Sequence, residues 1–368
     1  MAMTPMVNSP SPPYDAGDEN GLALLGGTMS TRVICFGELL LRLAPPGRQR
    51  LLQSPLLEVH VGGAEANVAV SLANFGHAAA MAGTVAGDAL GEAALGELRR
   101  HGVDTAALAR GQGRMGLYFL QPGAIHRPSE VIYDRADSAF ALADPAGYDW
   151  DALLQGAQWL HLSGVSPALG EGAAAAAIDA AAAAHARGVK VSFDGNYRPR
   201  LWQRWGGDAP ALLRQLLRHA QVLFADHRDI EVVLGHRFGQ DDPQARSAAA
   251  AEAAFAEFPA LQVMACTERV ALSVDHHTLS ARMFRRDGEQ TTVPPLELAG
   301  IVDRIGGGDA FAAGVLHGLI EGLADAATLR FALAAAALKH SIPGDFNRVS
   351  AAEVQALADE QGRFDVRR

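Results

Sequence analysis

The sequence predicts an α/β fold, a mostly parallel sheet covered by helices on both faces. Three observations lead there. From residue 32 onward, short apolar runs of strand length alternate with stretches of helical period, the pattern of repeated strand-helix-strand crossovers. No repeat of fixed period occurs, which sets aside a solenoid or propeller. The 368 residues, 49% of them hydrophobic, are enough to bury a substantial core in one large domain or two smaller ones.

The elements follow in order. Residues 1–30 are rich in Pro, Ser, Gly and Asn and lack both a hydrophobic period and the basic start and apolar core of a signal peptide, so they are expected to be disordered. Val33-Ile34-Cys35-Phe36 reads as a buried strand that ends at Gly37-Glu38, and residues 66–75 read as an amphipathic helix. Further strands are expected at 80–85, 159–163, 189–194, 222–225 and 263–267, with helices at 91–101, 172–187, 209–220 and 242–258. The last helix opens with Asp242 as cap and Pro243 at its first position. Two regions, 39–61 and 114–136, alternate residue types around Pro and Gly without a helical period, and are expected to form β-structure outside the main sheet.

Composition narrows the function. With 31 basic against 41 acidic residues and a formal net charge of -10, the chain has no long-range attraction for nucleic acid or an anionic membrane, which leaves small molecules as partners. No apolar run approaches the roughly 20 residues that span a bilayer. Cys35 and Cys266, the two cysteines, each lie in an apolar run far apart in sequence, which makes no disulfide framework and points to a reducing, cytoplasmic compartment. None of the 13 histidines stands at metal-ligating spacing with other ligands, and the adjacent His276-His277 reads as a surface turn. Homo-oligomerisation is left open.

Two segments carry chemistry. In Gly306-Gly307-Gly308-Asp309, three glycines precede a helix-compatible run, placing bare N–H groups at a helix N-terminus where an anion is favoured. Asp309 follows in the first turn, suited to take a proton from a hydroxyl attacking a phosphoryl group; equally, it is the common N-terminal aspartate of a helix. In Gly62-Gly63-Ala64-Glu65-Ala66-Asn67, paired glycines allow close approach of a ligand and Asn67 offers both donors and acceptors to a hydroxyl-rich molecule; a glycine turn opening a helix explains the same residues. No Gly-x-Gly-x-x-Gly turn follows the first strand, which ranks a nicotinamide-dependent oxidoreductase last.

Together these segments resemble the signatures of the ribokinase-like (PfkB-type) carbohydrate kinases, a Gly-Gly-x-x-x-Asn element followed far downstream by Gly-x-Gly-Asp. The likeness extends over most of the chain after Met29 and implies a three-layer α/β/α kinase domain over 31–363, with 39–61 and 114–136 forming a small β-lid. Within the family, Ser192-Phe193-Asp194-Gly195-Asn196-Tyr197-Arg198-Pro199, the Asp303-Arg304-Ile305 lead-in to the glycines, and Lys339-His340-Ser341-Ile342-Pro343-Gly344-Asp345 are similar to the 2-keto-3-deoxygluconate kinases. The resemblance implies ATP and Mg²⁺ as cofactors and attack by the terminal hydroxyl of a sugar acid on the γ-phosphate. Asp309 is then the base, and Gly306, Gly307 and Gly308 the cradle of the transferring group. It implies sugar contacts from Gly63, Asn67, Tyr118, Tyr133, Arg135 and Asp345, nucleotide contacts from Asn196 and Thr267, and Arg198 at the junction of the two. An acidic substrate suits the guanidinium groups of Arg135 and Arg198. Asp303 falls where relatives contribute to a monovalent-cation site, such as one for K⁺, and a plain loop acid explains it equally well.

Two places depart from the family pattern. Where many members have Asn-x-x-Glu, this chain has Asp226-His227-Arg228-Asp229, a pair that could organise water around Mg²⁺ or simply start a helix. Where relatives have a glycine-containing nucleotide loop, it has Cys266-Thr267-Glu268-Arg269-Val270-Ala271. A fructokinase or other ketose kinase is the nearest alternative, and a catalytically weak sugar-binding protein a more distant one.

Overall fold

The computed structural model describes residues 31–360. The disorder expected of residues 1–30 and the last residues of the anticipated 31–363 domain lie outside the described residues.

The central strands β1 and β4 of the main sheet are apolar on both faces, as burial under two helical layers requires. In β1 (Arg32–Phe36), Val33 and Cys35 point into one core while Ile34 and Phe36 point into the other. β4 (Ala78–Ala86) pairs with β1 in parallel and divides in the same way, Met81 to one side and Ala80 and Ala82 to the other. Beyond β4 lies β5 (Leu108–Gly111); on the other side of β1 come β8 (Trp159–Ser163), β9 (Lys190–Asp194), β10 (Val222–Phe224) and β11 (Val263–Ser273), all parallel. The chain thus winds outward in one direction from β1 to β5 and returns to wind the other way from β8, so β1 and β8 flank a topological switch point, where the ligands of such sheets bind.

Helices cover both faces. α1 (Ala64–Asn74), α2 (Ala89–Arg100), α9 (Gly307–Ile320), α10 (Asp325–Lys339) and α11 (Ala351–Glu360) lie on the Val33 side. The Ile34 side holds α3 (Trp150–Leu153), the alanine-rich α4 (Glu171–Ala186), α5 (Pro199–Trp205), α6 (Ala209–Leu217), α7 (His227–Leu234) and α8 (Pro243–Glu257). Asp242 caps α8 as expected, accepting the Ala245 N–H at 2.8 Å, with Pro243 at the first position. Among the described residues, no helix is long and apolar enough to cross a membrane. Cys35 and Cys266 are buried free thiols.

The two irregular regions form a second, four-stranded sheet in the order β3 (Glu58–Gly62), β2 (Leu40–Ala44), β6 (Gly116–Gln121), β7 (Glu130–Asp134). One face packs Leu40, Tyr118 and Leu120 against Tyr133 and Ile305, while Val59 and Ile132 are exposed.

The sequence reading missed the antiparallel extension of the main sheet. β12 (His276–Arg285) and β13 (Gln290–Ala299) follow β11 as two hairpin turns, and β13 is the edge strand. Pro294 and Pro295 obscured it: proline cannot donate to a ladder and is tolerated on an edge, here beside an irregular register at Leu279/Ala281. The reading of His276-His277 as surface needs correction. On a strand, neighbours point to opposite faces, and His276 pairs with Glu297 at 2.6 Å while His277 is buried.

Candidate active site

A cleft of about 910 Å³ opens at the carboxyl ends of β9, β10 and β11, between the second sheet and the N-termini of α1 and α9. The second sheet contributes Leu40, Tyr118, Val131 and Tyr133, with Arg135 following β7. Its size is within the range of small-molecule sites.

At its floor stands Asp309, in the first turn of α9. The Asn67 side-chain amide, from α1, donates to its carboxylate at 2.6 Å. These two residues lie 242 positions apart, and the contact joins the two signature segments. Burial pushes the Asp309 carboxyl up to about 7, against the Asn67 hydrogen bond and the Arg198 charge, which lower it. A carboxylate so placed exchanges a proton near neutral pH, as a general base requires.

The glycines before it are required for different reasons. Gly306 caps α9 with φ +82°, and a Cβ there would collide with the Asp345 carbonyl oxygen. A Cβ on Gly307 would come within 2.6 Å of the His340 ring. At Gly308 a Cβ would meet no atom within 4 Å, because that face of the turn opens to the cleft. The amides of Gly308 and Asp309 are engaged by no backbone carbonyl, leaving two first-turn donors toward the same space. Gly63, at φ +144°, closes the opposite rim; a Cβ there would strike the Glu38 carbonyl.

Buried ion pairs hold the wall formed by the second sheet. Arg135, 5% exposed, donates to Glu38 at 2.5 Å, and Ser138 also donates to Glu38. Arg135 lines the cleft from that fixed position. Tyr118 donates its hydroxyl to Asp345 at 2.6 Å, and Arg42 pairs with Asp345 at 3.2 Å and with Asp303 at 2.6 Å. Burial raises the Asp345 carboxyl, opposed by Arg42 and Tyr118. Tyr118, Tyr133 and Asp345 all face the cleft, while Arg42 supports them from behind.

Asp303, where the resemblance implies a monovalent-cation site, is engaged by the chain itself. Besides Arg42, its carboxylate accepts the N–H groups of Ile305 and Gly344, each at 3.0 Å. Burial pushes this carboxyl up, but Arg42 and the Lys339 ammonium more than offset it and hold it below the usual range. One guanidinium and two backbone N–H groups thus engage the Asp303 carboxylate.

On the side of the main sheet, Asn196, Arg198, Asp226, Asp229 and Thr267 line the same cleft. Asn196 occupies the left-handed region at φ +37° in the turn between β9 and α5, and Arg198 caps α5 without a side-chain cap bond. Asp226 and Asp229 form a reciprocal capping box at the start of α7, and Asp226 is also paired with the exposed Arg228. The segment 266–271 is no loop. Without a glycine to break the pairing, β11 runs on through Thr267 to Ser273 against β12.

The sequence reading missed Arg42, Glu38, Asp194 and Glu65 as site residues. Asp194, at the carboxyl end of β9, lines the cleft, and burial and the nearby Asp309 and Asp229 charges raise its carboxyl well above the ordinary value. Its position at a parallel strand's end was the available signal. Arg42 was signalled by a charge within the apolar Leu40–Ala44 strand. Glu65, in the first turn of α1, is buried and accepts from Ser163 Oγ at 2.9 Å and Ser166 Oγ at 2.7 Å.

The arrangement fits a nucleotide and Mg²⁺. The open face at Gly308 leaves room for a phosphate, and the oxygen-only, mutually repelling carboxylates Asp194 and Asp229 suit a hard divalent cation.

Comparison with known proteins agrees. The family model for pfkB family carbohydrate kinases matches residues 30–349. A 2-dehydro-3-deoxygalactonokinase from Haloferax volcanii is 33% identical over 329 residues, 89% of this chain and 97% of that protein. A crystal structure of 2-dehydro-3-deoxygluconokinase from Thermotoga maritima is 39% identical with a TM-score of 0.84, covering 89% of this chain and 99% of its own. A fructokinase from Xylella fastidiosa, solved with bound ATP, is 25% identical with a TM-score of 0.73, covering 90% and 98%. The family match takes in the main sheet, the second sheet and the cleft between them, and both glycine signatures meet at Asp309: the chain belongs to the pfkB family carbohydrate kinases and is a sugar kinase.

Proposed function

We propose that this kinase transfers the γ-phosphate of ATP to the terminal hydroxyl of 2-keto-3-deoxygluconate, giving 2-keto-3-deoxy-6-phosphogluconate. One observation carries the reading. Asp309, held by Asn67 and tuned to about 7, stands beside the open Gly308 face in a cleft whose far wall presents the fixed guanidinium of Arg135. These positions support Asp309 as base, the Gly308 turn as phosphate cradle and Arg135 as receptor for a substrate carboxylate.

In this reading Arg135 binds the substrate carboxylate, Tyr118, Tyr133 and Asp345 orient the chain of hydroxyls, and Asn67 fixes the carboxylate of Asp309. Asp309 takes the proton of the attacking hydroxyl, and the free amides at Gly308 and Asp309 stabilise the transferring group. Asn196, Arg198 and Thr267 hold the nucleotide. Mg²⁺, when bound with ATP, neutralises charge that develops on the phosphate oxygens, and Asp194 and Asp229 are the carboxylates that would hold its water shell. The second sheet acts as a lid that excludes water. The names of the Thermotoga maritima and Haloferax volcanii proteins support a 2-keto-3-deoxy sugar acid as substrate and differ in its stereochemistry. Phosphorus and carbon NMR of the products from the gluco and galacto acids tests the proposal. It expects a phosphate monoester on the terminal carbon and faster conversion of the gluco acid; phosphate at another carbon would contradict it.

A further inference from the structure

Outside the cleft, three potential metal ligands meet that no single stretch of sequence joins. His77 follows α1 in the turn before β4, and His317 and Glu321 lie one helical turn apart at the end of α9. Their ligand atoms all fall within 4.8 Å of one another. Nε2 of His77 and Nδ1 of His317 face each other at 2.9 Å, so one nitrogen donates and the other accepts. Two imidazole nitrogens bound to one tetrahedral ion at about 2.0–2.1 Å sit only slightly further apart than this.

The surroundings fix the rings. The His317 ring stacks on Phe331 at 4.4 Å between centroids and meets Phe75 edge-on at 5.5 Å. Glu321 is exposed and engaged in no side-chain hydrogen bond or ion pair among the described residues, so its carboxylate is able to swing inward.

We propose that His77, His317 and Glu321 form a binding site for Zn²⁺ or a similar late first-row divalent ion, separate from the kinase cleft. Two imidazoles and one carboxylate are the donor set of such ions and not of Mg²⁺, which takes oxygen. On binding, the proton between the rings moves to the far nitrogen of its own ring, so both facing lone pairs reach the metal. The ion would clamp the far ends of α1 and α9, the two helices whose near ends carry Asn67 and Asp309.

Titration of tag-free, metal-stripped protein with Co²⁺, followed by its visible absorption, tests the site. The site predicts one equivalent bound, with the intense bands of a four- or five-coordinate ion, displaced by Zn²⁺ and not by Mg²⁺. His77→Gln and His317→Gln should lose those bands, and Glu321→Ala should weaken binding by roughly tenfold or more. Glu321→Ala changes an exposed residue and keeps the test open should either histidine variant fail to fold. No Co²⁺ bands in the parent, or bands and affinity unchanged in Glu321→Ala and in every folded histidine variant, would overturn the proposal; the second result would move the ion to other histidines such as the His185/His219 pair.

Discussion

At the scale of single residues, the chemistry turns on the protonation of Asp309. Its carboxyl titrates near 7 because burial disfavours the charge, with Asn67 partly offsetting that. If the ionised form is the base, kcat/KM rises about tenfold per pH unit below about 7 and levels off above it. Asn67→Ala removes a bond that lowers this pKa, so the acidic limb should move to higher pH; a limb that stays in place would assign it to another group. Asp309→Asn should retain substrate binding while turnover falls by roughly 10²- to 10⁴-fold. The same substitution should stabilise the fold in a pH-dependent way. A folded-state pKa above the ordinary 3.8 means the wild-type contribution is fully present below about pH 4 and is lost as pH rises through about 7. Asp309→Asn should therefore resist urea better than wild type at pH 8, and the two should converge near pH 4.

For Arg135, alanine is the wrong probe because it would strand Glu38, 1% exposed, without its partner. Arg135→Lys keeps the charge and loses the planar fork. It should raise KM for the keto-deoxy acid by about tenfold and leave that for fructose nearly unchanged. Equal losses would argue against carboxylate recognition by this residue.

Among the elements, the glycine turn separates structure from function within three residues. Gly306→Ala forces a side chain onto a left-handed backbone and into the Asp345 carbonyl, so it should lower both stability and activity. Gly308→Ala meets nothing in the protein and should fold normally, yet its methyl occupies the open face and should weaken ATP binding. Circular dichroism melts and nucleotide KM values separate the two; a Gly308→Ala enzyme with unchanged nucleotide KM would place the phosphate elsewhere. The element pattern was readable where side chains obey a period. The β1 and β4 strands are apolar on both faces, β8 and β9 are apolar on at least one, and Asp242-Pro243 marks a helix start. β12 and β13 were not readable, because Pro294-Pro295 breaks the strand pattern and only a sheet edge tolerates it. Asp226 and Asp229 show the opposite limit: the capping geometry was legible, whereas their use in the cleft depends on what they face.

At the scale of the whole molecule, Arg42 joins distant parts of the chain. It reaches from the second sheet to Asp303 and Asp345, which follow the main sheet's last strand and α10. Arg42→Met would leave two carboxylates without their guanidinium, and urea unfolding should show a loss of about 3–5 kcal/mol. Adding Asp303→Asn should recover part of it, and strict additivity would contradict a direct coupling. These partners lie 261 and 303 residues from Arg42 (345 − 42 = 303), so no local pattern announces them. The Asn67–Asp309 contact is as distant, yet both of its ends sat in recognisable glycine signatures. Local chemistry thus exposed the two halves of the site, and the tertiary fold was needed to show what supports them.

The account as a whole rests on a sugar acid being the acceptor. Its most direct test is the ratio of kcat/KM for 2-keto-3-deoxygluconate to that for fructose, measured by ADP release from the purified enzyme with ATP and Mg²⁺. The expected ratio is on the order of 100 or more, because fructose has no carboxylate to make the charge-assisted contact with Arg135. A ratio near or below one would contradict the account.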